Sequence, residues 1–121
     1  MLKTFEMPSS VSHFRIVWEV TTEGTEPSNP SRIPSALKTR WCAIFVEAGE
    51  GTITLWGGIS LPEAPDGIKW DTILSQTVSE GSTIIQNLSE NFPYHFYRVQ
   101  FAKATGYDGN IDIWVLVEGN L

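Results

Sequence analysis

Cysteine is scarce in this sequence: Cys42 is the single one among 121 residues. An intrachain disulfide is therefore impossible, which excludes the small secreted scaffolds that depend on disulfides. Cys42 lies in the apolar run 41–46, so we interpret it as a small buried hydrophobic residue. A chain of this length has the size of one ordinary domain and buries enough surface to fold without a metal. We therefore expect residues 1–121 to form a single domain.

Basic residues are also few, with eight Lys and Arg against 14 Asp and Glu and a formal net charge of -6. They are scattered along the chain, and only Lys38 and Arg40 lie close together in sequence. Nucleic acids and anionic lipid surfaces are bound by clustered Lys and Arg. We therefore expect neither a nucleic acid nor a membrane as a partner.

Long hydrophobic runs are missing as well. None approaches the ~20 apolar residues that are needed to span a bilayer. The segment 1–6 lacks the apolar stretch of a signal peptide and includes an acidic residue, Glu6. These features predict synthesis and assembly in a cytoplasm.

Motifs of catalysis are absent from the sequence. The two histidines, His13 and His95, lie in predicted strands, where we interpret them as structural. No nucleophile elbow, zinc-protease, phosphate-loop or dinucleotide motif occurs. The segment 108–112 places oxygen-bearing side chains at alternate positions, as a calcium loop does, but Ile113 stands where that loop needs glycine. We therefore expect no enzymatic activity, no cofactor and no metal.

Apolar and polar residues alternate through most of the chain, which is typical of half-buried β-strands. Within 13–21, for example, Phe14, Ile16 and Trp18 share one face. Both faces are apolar in 37–48, which predicts a central strand. Further strands are predicted at 52–60, 68–78, 82–88, 95–104 and 111–118. In the first of these, Gly57 and Gly58 predict a bulge or a close backbone approach. In the second, the register is predicted to shift near Ile73 and Leu74.

Turn residues separate these strands, and no segment has a strong helical period. The segment 47–51 predicts a short hairpin between the strands on either side of it. Further turns are predicted at 65–67, 80–82 and 107–110, the last with positive φ at Gly109 and Asn110. The fold that we predict is all-β: an antiparallel β-sandwich, jelly-roll-like, of about seven to eight strands.

One long segment, 22–36, interrupts the alternation between the first two strong strands. Its prolines forbid a central strand and stiffen the chain, and Ile33 is its only bulky apolar residue. Two interpretations stay open: a surface loop without a function, or an arm that orders against a partner subunit. In the second, the candidates for the interface are Pro27, Pro30, Ile33 and Pro34.

The chain is rich in tryptophan, with five residues. Trp56 alternates in phase with threonines and Trp114 with acidic residues, which predicts that both rings face solvent. Aromatic rings on a sheet face or loop can stack on sugar rings, so Trp56, Trp70, Tyr107 and Trp114 are candidates for glycan binding. The alternative is that these rings cover the ends of the sandwich or lie in subunit interfaces, where tryptophan is equally common.

The C-terminal part of the chain, about seventy residues, contains two stretches with a recognisable pattern. Residues 51–60 and then 66–70 combine Gly-Thr and alternating hydrophobic residues with a following Asp-Gly-x-x-Trp. Residues 97–101 form a Tyr-Arg-Val strand, and 107–115 add a glycine turn and a second alternating strand. Together these stretches resemble the small β-sandwich virion proteins of tailed bacteriophages.

This resemblance implies a structural protein of a bacteriophage virion: a capsid decoration or cement protein, or a component of the tail or a fibre. The implied partners are other virion proteins, either the major capsid protein or tail components, and further copies of the chain in a homo-oligomer. The implied location is the virion, after synthesis in the host cytoplasm. The alternative is a carbohydrate-binding or host-attachment module of a phage tail or fibre, which would bind a glycan through the aromatic candidates.

Overall fold

The computed structural model describes residues 2–6, 13–23, 31–32, 38–65, 67–87, 94 and 96–120. These described residues form nine β-strands, and none of them lies in a helix that could cross a membrane. The strands are β1 (Leu2–Glu6), β2 (His13–Val20), β3 (Ser31–Arg32), β4 (Lys38–Ala48), β5 (Gly51–Ser60), β6 (Ile68–Val78), β7 (Thr83–Asn87), β8 (Phe96–Lys103) and β9 (Asp112–Asn120). All except β1 and β3 coincide with strands that the alternation predicts.

The strands form two antiparallel sheets. The larger sheet has the order β1-β2-β9-β4-β7, and the smaller sheet has the order β3-β8-β5-β6. Apart from β1, which extends the edge beside β2, this is the strand order of a jelly roll, in which the chain passes repeatedly from one sheet to the other. The predicted antiparallel sandwich of jelly-roll type is confirmed, and β4 lies between two neighbours, as its apolar faces predict. The strands β1 and β3 are additional to the prediction.

The apolar core lies between the two sheets. Because side chains alternate along a strand, every second residue of the long strands faces inward. Fully buried residues on these inner faces include Trp18, Cys42, Ile44, Ile53, Leu55, Tyr97, Ile113, Val115 and Val117. Thr39, the buried polar residue that the described part contains, forms a hydrogen bond with the Tyr97 hydroxyl, so both buried hydroxyl groups have a partner.

The segment 47–51 is not a hairpin, because the strands that it joins lie in different sheets. At Gly49 the chain takes a φ of 132° and turns the corner of the sandwich. The turns at 80–82 and 107–110 also pass between the sheets, whereas the loop between β5 and β6 joins two paired strands. The hairpin prediction was wrong because glycine-rich turn chemistry is the same for a hairpin and for a corner.

Two local predictions in the turns and strands need correction. Positive φ in the connection before β9 occurs at Gly106, with φ 85°, and not at Gly109 or Asn110. The shift of register near Ile73 is confirmed, since β5 and β6 lose their regular pairing there, but the irregularity on β5 follows Leu55 and does not lie at the two glycines. A bulge shifts the pairing of two strands by one residue, and the sequence alone does not show at which residue the shift occurs.

Part of the proline-rich segment 22–36 has secondary structure. Ser31–Arg32 form β3, which pairs with β8 of the same chain, so the prediction of a loop without strands is wrong at these two residues. The carboxylate of Glu23 accepts a hydrogen bond from the backbone N–H of Lys103 at 2.9 Å, which holds the start of the segment to the end of β8. The interface candidates lie outside the described residues: Pro27, Pro30, Ile33 and Pro34. The arm therefore stays a hypothesis.

Candidate functional site

Among the described residues, the candidate binding side chains lie on the outer faces of the sandwich. Inside, burial raises the pKa of the Cys42 thiol to about 11. Burial also raises the pKa of the Tyr97 phenol, so both groups stay neutral at physiological pH. Among the described residues, no three His, Cys, Asp or Glu side chains come close enough to hold a metal ion together.

Trp56, Arg98 and Trp70 form a group on the outer face of the smaller sheet, which we call the aromatic–arginine cluster. The guanidinium carbon of Arg98 lies 4.9 Å from the centre of the Trp56 ring and 4.1 Å from that of the Trp70 ring. Each cation–π contact at a partly exposed site contributes about 0.5–1 kcal/mol. Arg98 Nε is buried and has no hydrogen-bond partner among the described residues, so these ring contacts are what compensates its burial.

The register of the strands brings the cluster together. Trp56 in β5 is the direct cross-strand partner of Arg98 in β8, and cross-strand partners share a face. On the other side of β5, the pairing with β6 skips Ile73. This skipped residue shifts the phase of β6 and places Trp70 on the same outer face as Trp56.

Gly58 provides the room that the Trp70 ring occupies. The two residues are cross-strand partners, and a Cβ atom on Gly58 would lie 2.9 Å from Trp70 Cε3. At Gly57 a Cβ atom would lie 2.5 Å from the ring of Tyr94 on the inner side. Both glycines therefore lie at a close approach: the Tyr94 ring approaches Gly57, and Ile68 Cγ2, at 2.6 Å, and the Trp70 ring approach Gly58.

Polar side chains continue the same outer face beyond the cluster. Thr54 lies between Gln100 in β8 and Ser75 in β6, and its Oγ1 lies 3.3 Å from Ser75 Oγ. Small hydroxyl and amide groups beside aromatic rings are the combination that recognises sugars, since the rings cover an apolar face and the polar groups bond the hydroxyls.

The structure divides the four glycan candidates. Trp56 and Trp70 lie together, whereas Trp114 lies on the outer face of the larger sheet, on the opposite side of the sandwich. Tyr107 lies in the connection between β8 and β9, where its hydroxyl donates a hydrogen bond to the Asn110 carbonyl oxygen at 2.5 Å. One glycan site can contain Trp56 and Trp70, but it cannot also contain Trp114.

The outer face of the larger sheet is apolar through its centre. A row of cross-strand partners crosses β2, β9, β4 and β7, and aromatic residues flank that row. Around the fully buried Ala43, the side chains of this row and its flanks form what we call the apolar face: Val17, Trp41, Phe45, Ile85, Trp114 and Leu116. Ile85 is 66% exposed and Phe45 is 37% exposed. Contiguous apolar residues on an outer sheet face mark an interaction surface.

Charged residues border the apolar face at one end of β2 and β9. His13 Nε2 lies 2.8 Å from Glu118 Oε1, and the Arg15 guanidinium donates two hydrogen bonds to Glu118 Oε2, at 3.2 and 3.1 Å. Partial burial opposes the ionisation of Glu118, but the hydrogen bonds from His13 and Arg15 and the positive charge of Arg15 outweigh it and lower the pKa of this carboxyl. His95, the other histidine, lies outside the described residues.

The substitution Glu118→Gln is expected to lower stability at pH 7 by about 0.5–1 kcal/mol, because it removes a charge-assisted network at a partly exposed site. A lowered folded-state pKa means that this stabilisation is complete above the unfolded pKa of about 4.3 and is lost as pH falls through the folded value. Urea unfolding at pH 7 and pH 3 should therefore show a larger difference between the two proteins at pH 7 than at pH 3. Glu47→Gln, on an exposed position of β4, is the control and should match the unaltered protein at both pH values. A difference of equal size at both pH values would contradict the role given to the charge.

No protein-family model and no curated protein matches the sequence. Among solved structures, a cupin domain from Bordetella pertussis aligns with 10% identity and a TM-score of 0.43, over 99% of this chain and 94% of that domain. The CENP-C cupin domain of Drosophila melanogaster aligns with 8% identity and a TM-score of 0.37, over 96% and 75% of the two chains. Drosophila melanogaster CENP-C bound to CAL1 aligns with 9% identity and a TM-score of 0.38, over 95% of this chain and 80% of that chain. These similarities are too distant to assign a family or an activity.

Proposed function

We propose that this chain is a structural protein of a bacteriophage virion, a capsid decoration or cement protein that binds the capsid shell and neighbouring copies. The observation that carries the proposal is the apolar face, which places Phe45, Ile85 and Trp114 on the outside of a rigid sheet. A surface of this kind suits contact with other proteins. The resemblance of residues 51–60 and 97–101 to phage virion proteins indicates which assembly that is.

The distribution of charge supports the same proposal. The chain carries a formal net charge of -6, which keeps the remaining surface soluble and disfavours contact with packaged nucleic acid. The hypothesis of a partner-binding arm in 22–36 is compatible with this role, because such segments commonly order when they bind.

The test is the presence of the chain in particles. Virions propagated from the genome that encodes it are purified by density gradient and analysed by quantitative mass spectrometry, and we expect the chain at a fixed copy number per particle. Ile85→Glu introduced into that genome should lower the copy number at least tenfold, because it places a charge on the apolar face. Ser75→Glu, at an exposed position on the outer face of the smaller sheet, is the control and should leave incorporation unchanged. Absence of the unaltered chain from purified virions would reject the proposal.

A second candidate function, carbohydrate binding for host attachment, is favoured by the aromatic–arginine cluster. Trp56 and Trp70 present partly exposed rings beside Arg98, and hydroxyl-bearing residues continue the face. Neutral host-surface polysaccharide fits this surface better than an acidic polymer, because the acidic chain would repel the latter.

Glycan-array binding of the purified chain tests this candidate. Trp70→Ala is expected to reduce the response at least tenfold, since one ring stacked on a ligand contributes about 1–3 kcal/mol. Trp114→Ala is the matched control, because it removes the same side chain from the opposite sheet and should leave the response unchanged. Circular dichroism establishes that both variants are folded. An equal loss in both variants, or no binding by the unaltered chain, would remove this candidate.

A further inference from the structure

We propose that the apolar face packs against the same face of a second copy of this chain. The two copies are related by a two-fold axis that lies between their facing larger sheets and runs across the strands. This inference rests on the proposed function as an assembly subunit and names the partner that covers the face. Most homo-oligomers contain a two-fold interface, in which one surface is its own complement. The arrangement of residues on this face meets that requirement.

The central row gives the position of the axis. Val17, Leu116, Ala43 and Ile85 are successive cross-strand partners, so they form a line at right angles to the strands. An axis along this line places Val17, Leu116 and Ile85 of one copy against the same residues of the other, while Ala43 lies in the row but is already fully buried within its own chain. No charged group is buried at the centre of the contact, where an unpaired charge is most unfavourable.

The rows on either side of the axis are complementary to each other. Rotation about the axis reverses the strand direction, so a residue two positions before the row faces a residue two positions after it in the second copy. On β4 this places Trp41 opposite Phe45 of the second copy, which forms an aromatic pair twice by symmetry. On β2 it places Arg15 opposite Glu19 of the second copy, which forms an ion pair twice.

The charges also determine the direction of the axis. An axis parallel to the strands through the centre of the face would set β2 of one copy against β7 of the other, so Arg15 would face Asn87 and Glu19 would face Thr83, and neither charge would meet an opposite one. Glu118 keeps its bonds to His13 and Arg15, so a second copy can cover its carboxylate without leaving it unpaired. The axis across the strands therefore places both charged residues that border the row on β2, Arg15 and Glu19, against a residue of opposite charge in the second copy.

The size of the face suits a small contact. Four strands at a spacing of about 4.8 Å and five residues at about 3.4 Å, from Trp41 to Phe45 on β4, span roughly 330 Å² in projection. Protruding side chains enlarge this surface toward the roughly 600 Å² per partner that small specific interfaces bury. Two packed sheets of this kind lie about 10 Å apart with their side chains interdigitated.

Analytical ultracentrifugation of the purified chain is the experiment. We expect a dimer at 10 μM, at least tenfold weaker association for Ile85→Glu, and no change for Ser75→Glu. Arg15→Glu and Glu19→Arg should each weaken the homodimer at least tenfold, because each single change leaves like charges opposed. A mixture of these two variants should form a heterodimer with affinity within about threefold of the unaltered protein, since opposite charges then meet at both ends.

Several results would overturn the inference. A chain that stays monomeric at 100 μM would show that the apolar face does not bind itself. The proposed function is tested separately, and the presence of the chain in purified virions would still support it. A dimer that Glu19→Arg leaves unchanged while Ile85→Glu disrupts it would place the contact at the edge of β7 instead. Because Arg15→Glu also removes a bond to Glu118, Glu19→Arg is the deciding variant, and urea unfolding establishes that it is folded.

Discussion

Replacing Gly51 with alanine is expected to lower the free energy of unfolding by about 3 kcal/mol or more. Gly51 begins β5 at the corner where the chain leaves the larger sheet, and it is buried against β8. A Cβ atom there would lie 2.2 Å from the carbonyl oxygen of Ala102 and 2.7 Å from Lys103 Cα. These are backbone atoms, so no side chain can rotate away, and the strands β5 and β8 must separate to admit the methyl group.

Urea unfolding of Gly51→Ala and of two further glycine variants measures this effect. Gly81→Ala is the matched control, because Gly81 has φ 83° and no heavy atom within 4 Å of an added Cβ. It should cost about 1–2 kcal/mol from backbone strain alone. In Gly57→Ala the added Cβ meets the Tyr94 ring, so this substitution should cost less in a Tyr94→Ala background than in the unaltered protein, which a double-mutant cycle measures. A Gly51→Ala protein as stable as Gly81→Ala would show that the corner is more adaptable than its geometry implies.

The alternation of residues was sufficient to predict seven of the nine described strands, all except β1 and β3, and it also predicted the inner faces of β2 and β9. In β2 and β9 every second residue is apolar, and those residues are the buried ones: Phe14, Ile16, Trp18, Val20, Ile113, Val115 and Val117. Period-two patterns depend only on neighbours in sequence, which is why they are predictable from a single chain. The same reasoning placed Trp56 and Trp114 on outer faces, where the structure also has them.

The pairing of the strands was not predictable in the same way. The segment 47–51 has the composition of a hairpin, yet it links two sheets, because which strands pair depends on how the whole sandwich closes. Arg98 was missed for a related reason. Its phase in β8 shows that it faces outward, but its position beside Trp56 and Trp70 follows from registers between distant segments. Such cross-strand contacts carry no signal in the local sequence.

The two outer faces of the sandwich therefore differ in chemistry although the same alternation produces both. On the larger sheet, Phe45 and Ile85 occupy positions that a solvated strand would fill with polar residues. On the smaller sheet, threonine and serine occupy the equivalent positions, and the aromatic rings are confined to one end around Arg98. This asymmetry is why assembly is assigned to the larger sheet and glycan binding, as the second candidate, to the smaller.

Trp18→Ala is expected to lower the free energy of unfolding by about 3–5 kcal/mol, since it empties a large volume from the centre of the core. Trp18 is fully buried in β2, and its indole Nε1 has no hydrogen-bond partner among the described residues. Domains of this size are stable by about 5–15 kcal/mol, so this loss is a large share of the total and the urea midpoint should fall in proportion.

Trp18→Phe is expected to cost far less, about 1 kcal/mol, because it keeps an aromatic ring in the core. The smaller ring loses buried apolar area at about 25 cal/mol per Å², but it also removes a buried donor whose missing partner costs about 1–3 kcal/mol. These two effects oppose each other in Trp18→Phe, whereas Trp18→Ala suffers the loss of area and the cavity together. Trp41→Phe, on a partly exposed ring, is the control and should change stability by less than about 0.5 kcal/mol. Urea unfolding of the three variants measures all of these differences. If Trp18→Phe costs well above what its lost apolar area accounts for, the indole nitrogen has a partner in solution that phenylalanine cannot replace.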